Sequence, residues 1–321
     1  MMMEIRSAGV LSLRFSVVAV ACRDTHKEML MAKQQTKMGK VMSILNMKGG
    51  VGKTTLTAHV FREFYKTHEK NVLLIDIDPQ FNLTQTIFPE ALYEKVKNAR
   101  RTMLSVMESP EDVSLYSVHE QNGDVPQVDD VKFSMYSLKN GIRFDLIPGD
   151  FSLCKYSLMS DKSILDVAAA RFAKFVEQAR EHYDLICIDC NPSSSFLTVC
   201  ALKSSTHLLV PVRPDRYSML GLRMLDDFIS GFRGLEAQLK KIIILNGIPT
   251  SKYDPTVENE LRSDPTYGRI TLAASMHMTR LLEASPTRTG FATDRKAPHS
   301  KALKDRIARI NKELAVALGL K

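Results

Sequence analysis

The sequence predicts an α/β fold in which a doubly wound, mainly parallel β-sheet is flanked by helices on both faces. Two patterns along the chain predict it. Short runs rich in Val, Ile and Leu alternate with stretches of helical periodicity, as is typical of α/β proteins. Acidic residues directly follow two of these apolar runs, and the carboxyl ends of parallel strands are where such sheets bind ligands.

The predicted elements follow one another in a regular order. Runs of strand type cover 41–46, part of 71–80, 142–147, part of 183–192, 208–212, 241–246 and 270–273. Helical patterns cover 55–66, most of 86–118 with breaks at Pro89 and Pro110, 163–182 and 300–318, and the polar stretch 120–130 is typical of a loop. Because strands and helices alternate throughout, residues 40–321 are expected to form a single domain around one sheet.

A glycine-rich run between the first strand and the first helix predicts a phosphate-binding loop. Residues 46–55 read Asn-Met-Lys-Gly-Gly-Val-Gly-Lys-Thr-Thr and nearly fit G-x-x-x-x-G-K-[ST], with Met47 in place of the first glycine. Glycines adopt positive φ without steric strain, so backbone N–H groups can converge on an anion at the helix N-terminus. Lys53 can then reach the β- and γ-phosphates, and the Thr54 hydroxyl can bind Mg²⁺. The residues expected to bind the nucleotide are Lys48, Gly49, Gly50, Val51, Gly52, Lys53, Thr54 and Thr55.

The second lysine of the loop, Lys48, has a different expected role. It lies at the rim of the nucleotide site, because the loop wraps around the phosphates from below. From the rim it is expected to point outward, towards a nucleotide held by a second copy of the chain.

Aspartates at two strand ends are expected to complete the nucleotide site. Asp76 and Asp78 end one apolar run, and alternation along a strand predicts that they share a face. Asp189 ends another run and can hold Mg²⁺ through water. A solvated strand end is the alternative, and it explains one aspartate more easily than two.

These pieces together resemble ParA-type partition ATPases, which belong to the deviant phosphate-loop group with MinD and the nitrogenase iron protein. The resemblance covers residues 41–321 and rests on the loop 48–55, Asp-Ile-Asp-Pro-Gln-Phe-Asn at 76–82, Ile-Asp-Cys-Asn-Pro-Ser at 188–193 and Arg-Leu-Leu-Glu-Ala-Ser-Pro at 280–286. The Asp-Pro-Gln-x-Asn run separates ParA-like chains from MinD-like ones. The chain departs from the ParA pattern at Phe81, commonly glycine, at Asn191, commonly proline, and at Ser193–Ser195, usually a glycine-containing run.

The resemblance implies a reaction and a set of partners. ATP with Mg²⁺ would be the bound cofactor, held in part by Thr54, Asp78 and Asp189, and Asn246 would contact the adenine. Two copies would close face to face on ATP with Lys48 acting in trans. Asp78 would orient or activate the attacking water. A ParB-like partner would stimulate hydrolysis in a cytoplasmic, nucleoid-associated cycle that moves a DNA cargo.

The distribution of charge predicts contact with duplex DNA. The chain carries a net charge of +8. From residue 280 onward the chain contains ten basic and four acidic side chains, which gives this segment a net charge of +6. Non-specific binding to the phosphate backbone through Arg306 and Arg309 is therefore expected, with Arg216 in a competing basic group. A solvated helix face is the alternative for any single residue of the tail.

Other function classes remain open at this point. A MinD-like membrane-associated ATPase would need the last helix to enter lipid, an iron-protein type would need bridging cysteines, and a ParA-like protein could also position a non-DNA cargo. The odd number of cysteines indicates reduced thiols, and the pair Cys187 and Cys190 is expected to pack in the core. No uncharged apolar run of membrane-spanning length occurs, so no integral membrane contact is expected. Residues 1–39 are expected to be a poorly ordered extension or a mis-annotated start.

Overall fold

The computed structural model describes residues 38–108, 124–283 and 288–321. The strands are β1 Lys40–Ile44, β2 Val72–Asp76, β3 Phe133–Ser137, β4 Arg143–Ile147, β5 Leu185–Asp189, β6 His207–Val212, β7 Lys240–Ile248 and β8 Met276–His277. The helices are α1 Lys53–His68, α2 Asn82–Ile87, α3 Glu90–Asn98, α4 Met103–Met107, α5 Val128–Val131, α6 Lys162–His182, α7 Phe196–Lys203, α8 Ser218–Ser230, α9 Leu235–Gln238, α10 Thr256–Ser263 and α11 Ser300–Leu318. The expectation for residues 1–39 falls almost wholly outside the described residues and stays a prediction.

The eight strands form one sheet in the order β3-β4-β2-β5-β1-β6-β7-β8. Every neighbouring pair is parallel except β3 with β4. Helices α1 and α11 cover one face together with a buried aromatic cluster, while α6, α7 and α8 cover the other. The predicted doubly wound, mainly parallel fold is confirmed.

The sheet register brings the predicted site residues together. Strands β1, β2 and β5 are adjacent, and Asp76 is the direct neighbour of Asp189 across β2 and β5. Ile44, the last residue of β1, is the neighbour of Asp189 on the other side. All three strands are parallel, so the loop and both acids lie at the same carboxyl edge.

Three of the expected elements differ in the structure. The run 270–273 is not a strand: a 3₁₀ turn covers Gly268–Ile270, and only Thr271 bridges to β7. The reason is that side chains occupy the backbone groups a strand would pair, since Arg262 donates to the carbonyls of Leu272 and Ala273. The edge strand is β8 instead.

The other two differences lie between α1 and β4. The helical pattern over 86–118 is broken at Pro89 and again at Arg100, whose φ is +55°, and residues 109–123 lie outside the described ranges. The stretch 120–130 is not wholly a loop, because Val128 and Val131 are buried by the single turn of α5. Strand β3 was not predicted.

The last helix agrees with its predicted bounds. Its apolar stripe is buried against α1 and the sheet; the stripe consists of Leu303, Ile307, Ile310, Leu314 and Leu318. A membrane-binding tail would need this stripe free, so the MinD-like alternative loses the feature that suggested it. Among the described helices, none combines the length and apolarity that crossing a bilayer requires.

Candidate nucleotide-binding site

The glycine-rich loop joins β1 to α1 in the conformation that a phosphate-binding loop requires. Gly50 and Gly52 have φ of +72° and +86°. Gly52 also admits no side chain, because a Cβ there would lie 2.2 Å from Nδ2 of Asn246. Asn46 anchors the start of the loop: its Nδ2 donates to the Pro211 carbonyl at 2.8 Å and its Oδ1 accepts from the backbone N–H of Lys48 at 2.9 Å. These contacts hold the start and the end of the glycine-rich run in place.

Lys53 lies beneath this loop. Its side chain is buried, and Nζ donates to the Asn46 carbonyl at 3.3 Å and to the Lys48 carbonyl at 3.5 Å. Burial lowers the pKa of Lys53, and the charge of Asp189 opposes that shift. An anionic phosphate in the loop would add to the favourable charge of Asp189 and stabilise the ammonium further.

The hydroxyl groups at the start of α1 bind Asp189 directly. Thr54 Oγ1 donates to Oδ2 of Asp189 at 2.7 Å, and Thr57 Oγ1 donates to Oδ1 at 3.0 Å. Asp189 is fully buried, and this desolvation raises its pKa to about 7. Sequence reasoning missed Thr57, although it lies one helical turn after Lys53 on the same side of α1.

The two acids at the end of β2 do not share one environment. The strand ends at Asp76, so the alternation that predicted a common face does not continue to Asp78. Asp76 Oδ2 accepts from the N–H and the hydroxyl of Thr84 at 2.8 and 2.7 Å. Burial, together with the charge of Asp189, raises the pKa of Asp76 well above its usual range. Asp78 instead lines the open cleft, with Oδ1 accepting from the Gln80 N–H at 2.9 Å.

Lys48 forms an ion pair within its own chain rather than pointing freely outward. Its Nζ contacts Oδ2 of Asp215, and both side chains are about one-third exposed. Burial of Asp215 works against ionisation, but hydrogen bonds from Lys48 and from the Tyr217 N–H hold the pKa of Asp215 below its usual value. The sequence reasoning did not single out Asp215, which follows the Arg-Pro pair after β6.

Two cavities adjoin the loop. The larger, about 790 Å³, contains Gly49, Gly50, Lys53, Thr54, Thr55 and Asp78 among its lining residues. The smaller, about 230 Å³, is lined by Val51, Arg213, Asn246, Met278 and Leu282 among others. Asn246 lies inside β7 rather than at its end, next to a bulge at Gly247, and its Nδ2 donates to the Val51 carbonyl at 2.6 Å. All of the predicted nucleotide-binding residues except Lys48 line one of these two cavities.

The basic residues of the tail line a separate groove. Arg306, Arg309 and Lys312 of α11 and His277 of β8 surround a cavity of about 860 Å³. These three cations of α11 form no ion pair with any described residue. Burial and the neighbouring Arg309 lower the pKa of Arg306. Arg216 is not part of the groove: it lies just before α8, with its guanidinium 4.5 Å from the Tyr217 ring centre.

The four described cysteines do not form a metal-binding cluster. Cys187, Cys190 and Cys200 are buried, and Cys154 is partly exposed. Across the described ranges, no group of three or more His, Cys, Asp or Glu is arranged to hold a metal. The expected core packing of Cys187 and Cys190 is confirmed by their burial on β5 and just after it.

Comparison with known proteins places these features in a family. Residues 39–242 match the family AAA_31, described as an AAA domain. An uncharacterized protein of Pseudomonas putida KT2440 is 30% identical over 219 residues, which cover 68% of this chain and 72% of that protein. The sporulation initiation inhibitor protein Soj of Bacillus subtilis is 28% identical over 217 residues, which cover 68% and 74%.

Solved structures share the fold. A putative plasmid partition protein of Borrelia burgdorferi B31 bound to AMPPNP aligns with a TM-score of 0.58 and 20% identity, over 86% of this chain and 100% of that one. The ParA of pNOB8 bound to nonspecific DNA aligns with a TM-score of 0.55 and 20% identity, over 88% and 97%.

Proposed function

The chain belongs to the AAA_31 family and is of ParA type, and from this premise we propose that it is a Mg²⁺-dependent partition ATPase. In this proposal ATP closes two copies into a dimer that binds duplex DNA without sequence preference. A ParB-like partner stimulates hydrolysis and releases the dimer, in the cytoplasm and on the nucleoid, so that a plasmid or chromosome is segregated. The loop that holds Lys53 beneath two left-handed glycines is the observation that carries the proposal.

ATP binding follows from the charges and donors of this loop. Residues 49, 50 and 52–55 line the cleft, where backbone N–H groups can bind an anion, and Lys53 supplies a buried positive charge for the β- and γ-phosphates. Asn246 beside the smaller cavity is the proposed adenine contact. The proposed ligands, which are the Thr54 hydroxyl and the carboxylates of Asp78 and Asp189, are all oxygens, which suits Mg²⁺. Thr54 would bind the ion directly, and Asp78 and Asp189 would hold it through water; its chemistry is to neutralise the phosphate charge during transfer.

Hydrolysis requires a group that orients water at the γ-phosphate. Of the three strand-end aspartates, Asp78 lines the open cleft, whereas Asp76 and Asp189 accept hydrogen bonds from threonine hydroxyls. We assign Asp78 the water-positioning role and Lys48 the stabilisation of phosphate charge in the partner's site. Lys48 must leave Asp215 before it can act in trans.

DNA binding is assigned to the basic groove of Arg306, Arg309, Lys312 and His277. Cations without an acidic partner are free to neutralise phosphates, and each neutralised phosphate releases counterions. A dimer offers two such grooves, so DNA affinity should rise when ATP joins two copies. A non-DNA cargo remains the alternative function, since the nucleotide site would be the same.

Fluorescence anisotropy with labelled duplex DNA tests this function. With a slowly hydrolysed ATP analogue, the protein should bind DNA of any sequence, and ADP should abolish binding. The slope of log affinity against log salt should be about −0.9 per phosphate contacted. The double variant Arg306→Glu/Arg309→Glu should weaken binding uniformly and flatten this slope while ATP binding persists, and Arg233→Glu, at an exposed position after α8, is the control. Absence of ATP-dependent DNA binding at every salt concentration would contradict the proposal.

A further inference from the structure

The side chain of His277 lines two cavities at once. One is the basic groove, which it shares with Arg306, Arg309 and Lys312 of α11. The other is the smaller cavity beside the phosphate loop, which Asn246 also lines. Imidazole is the side chain whose ordinary pKa lies closest to neutral pH. Among the described residues of the groove, His277 is therefore the one whose charge changes between pH 5 and 8.

The backbone on both sides of His277 is held in place. Strand β8 ends at His277, and the next N–H, that of Met278, donates to the Ile248 carbonyl of β7 at 2.8 Å. Three residues before His277, the Ala274 N–H donates to the two carboxylate oxygens of Glu313 on α11, at 3.0 and 3.2 Å. These bonds tie β8 to its neighbouring strand and to α11, so the imidazole stays beside the cations of that helix.

The ring of His277 has no anionic partner in the free chain. Its Nδ1 is buried without a hydrogen-bond partner, and none of the ion pairs between described residues includes the ring. An imidazolium carries a donor on each ring nitrogen, whereas the neutral ring can leave one nitrogen as a bare acceptor. The surroundings therefore favour the neutral ring until an anion arrives from outside.

The charges around the ring act in the same direction. Burial of the ring and the charge of Arg306 lower the pKa of His277, and Arg309 adds to this effect, while Glu258 of α10 opposes it. The two cavities that His277 lines contain four further charged residues, which are Lys312, Glu313, Arg213 and Glu283. Because the pKa lies below its ordinary value, the ring is mostly neutral at pH 7 in the free chain.

We propose that His277 takes up a proton when the phosphate backbone of DNA enters the basic groove, so that DNA affinity rises as the pH falls. The proposal rests on the DNA binding proposed above and names a regulation of that site. A phosphate in the groove adds negative charge beside the ring and neutralises Arg306 and Arg309, the two cations that oppose protonation. The imidazolium then contributes one more positive charge to the bound phosphates.

The pH window follows from the two states of His277. Its pKa is below the ordinary 6.5 in the free chain, and bound phosphates raise it. The added affinity is fully present below the pKa of the free chain, and it is lost as the pH rises through the pKa of the complex. By proton linkage, the slope of log affinity against pH has a limit of about −1 for each groove that contacts DNA.

Fluorescence anisotropy with labelled duplex DNA measures this slope between pH 8 and pH 6. Salt is held constant, and a slowly hydrolysed ATP analogue is saturating at every pH. His277→Gln should bind DNA roughly tenfold more weakly than the wild type at pH 6 and nearly as well at pH 8, because one linked proton is lost per groove. His277→Lys keeps its charge throughout, so at pH 8 it should bind about as tightly as the wild type at pH 6.

His182→Gln is the matched control. His182 is an exposed histidine at the end of α6, which covers the opposite face of the sheet from α11. This variant should keep the wild-type slope. Any pH dependence that arises from titration elsewhere, such as at Asp189 in the nucleotide site, is shared by all the variants and cancels in the comparison.

Calorimetry counts the protons in the unmodified protein. DNA is titrated into the complex with the ATP analogue in two buffers of different ionisation enthalpy, and the difference in heat gives the proton uptake. Up to about one proton per groove should be taken up near pH 6.5. Titration of the ATP analogue alone is the reference, because His277 also lines the smaller cavity.

The outcomes separate this inference from the proposed function. If the wild type and His277→Gln bind DNA with the same pH slope, the role of His277 is overturned and the proposed DNA binding stands. Proton uptake that accompanies the ATP analogue and not DNA would also overturn it. A wild type that binds no DNA at any pH would remove the proposed function and the inference together.

Discussion

Replacement of Asp215 by Asn should strengthen the ATP-dependent dimer. The carboxylate of Asp215 holds Lys48 in the free chain, and the proposed dimer needs Lys48 at the partner's phosphates. Asparagine keeps an oxygen that can accept from the Tyr217 N–H, so the turn before α8 should persist. The substitution removes the competing charge and little else.

The exposure of the ion pair sets the size of the effect. Lys48 and Asp215 are 37% and 34% exposed, so water screens their attraction. Exposed pairs contribute about 0.2–1 kcal/mol each, and releasing one in each copy corresponds to a dimer roughly 2- to 30-fold tighter. The gain should shrink at high salt, because screening weakens the pair that is lost.

Sedimentation velocity with a slowly hydrolysed ATP analogue measures the dimer constant. Asp227→Asn is the control, because it removes one exposed negative charge from α8 while leaving Lys48 and its partner in place. A dimer of Asp215→Asn that is unchanged or weaker would refute the reasoning, since Asp215 would then be supporting Lys48 in the dimer as well.

Further predictions concern the individual residues of the site. Lys53→Ala should lose binding of a fluorescent ATP analogue, because it removes the buried charge beneath the loop, whereas Lys48→Ala should retain it. Asp78→Ala should accumulate the ATP-bound dimer and show almost no phosphate release in a steady-state assay. Asp189→Asn should raise the nucleotide-free melting temperature by several degrees at pH 8 and not at pH 4. The pKa of Asp189 is about 7 in the folded chain, which is above its value in the unfolded chain. The free energy of unfolding of the wild type therefore falls as the pH rises between these two values, and asparagine removes that loss. Asp76→Ala should destabilise the fold more than Asp76→Asn, which keeps an acceptor for Thr84, as urea unfolding would measure.

Much of the fold could be predicted because the central strands are buried on both faces. Runs such as 72–76 and 185–189 read as continuous apolar segments in sequence for that reason. The edges could not be predicted in the same way. Strand β3 is half exposed. Strand β8 has only two residues, and its pairing with β7 depends on hydrogen bonds that Arg262 and Glu313 form with the backbone just before it.

Some contacts of the candidate site could likewise be predicted from the sequence, and others could not. Lys53, Thr54 and Asp189 come together because a local loop and a neighbouring strand fix them, and both are visible in the sequence. The Lys48–Asp215 pair joins residues 167 positions apart, so only the tertiary structure could show it. The separation of Asp76 from Asp78 was missed because the strand ends one residue after Ile75 rather than continuing through the second acid.

A mixing experiment tests most directly whether Lys48 acts across a dimer. Lys48→Ala keeps Asp78 but gives no lysine to a partner, and Asp78→Ala gives the lysine but does not hydrolyse. Each variant alone should release almost no phosphate. Mixed with DNA and ATP, they should recover hydrolysis, because one site of each mixed dimer combines an intact Asp78 with the partner's Lys48. Phosphate release from the mixture no greater than that of the separate variants would contradict the account.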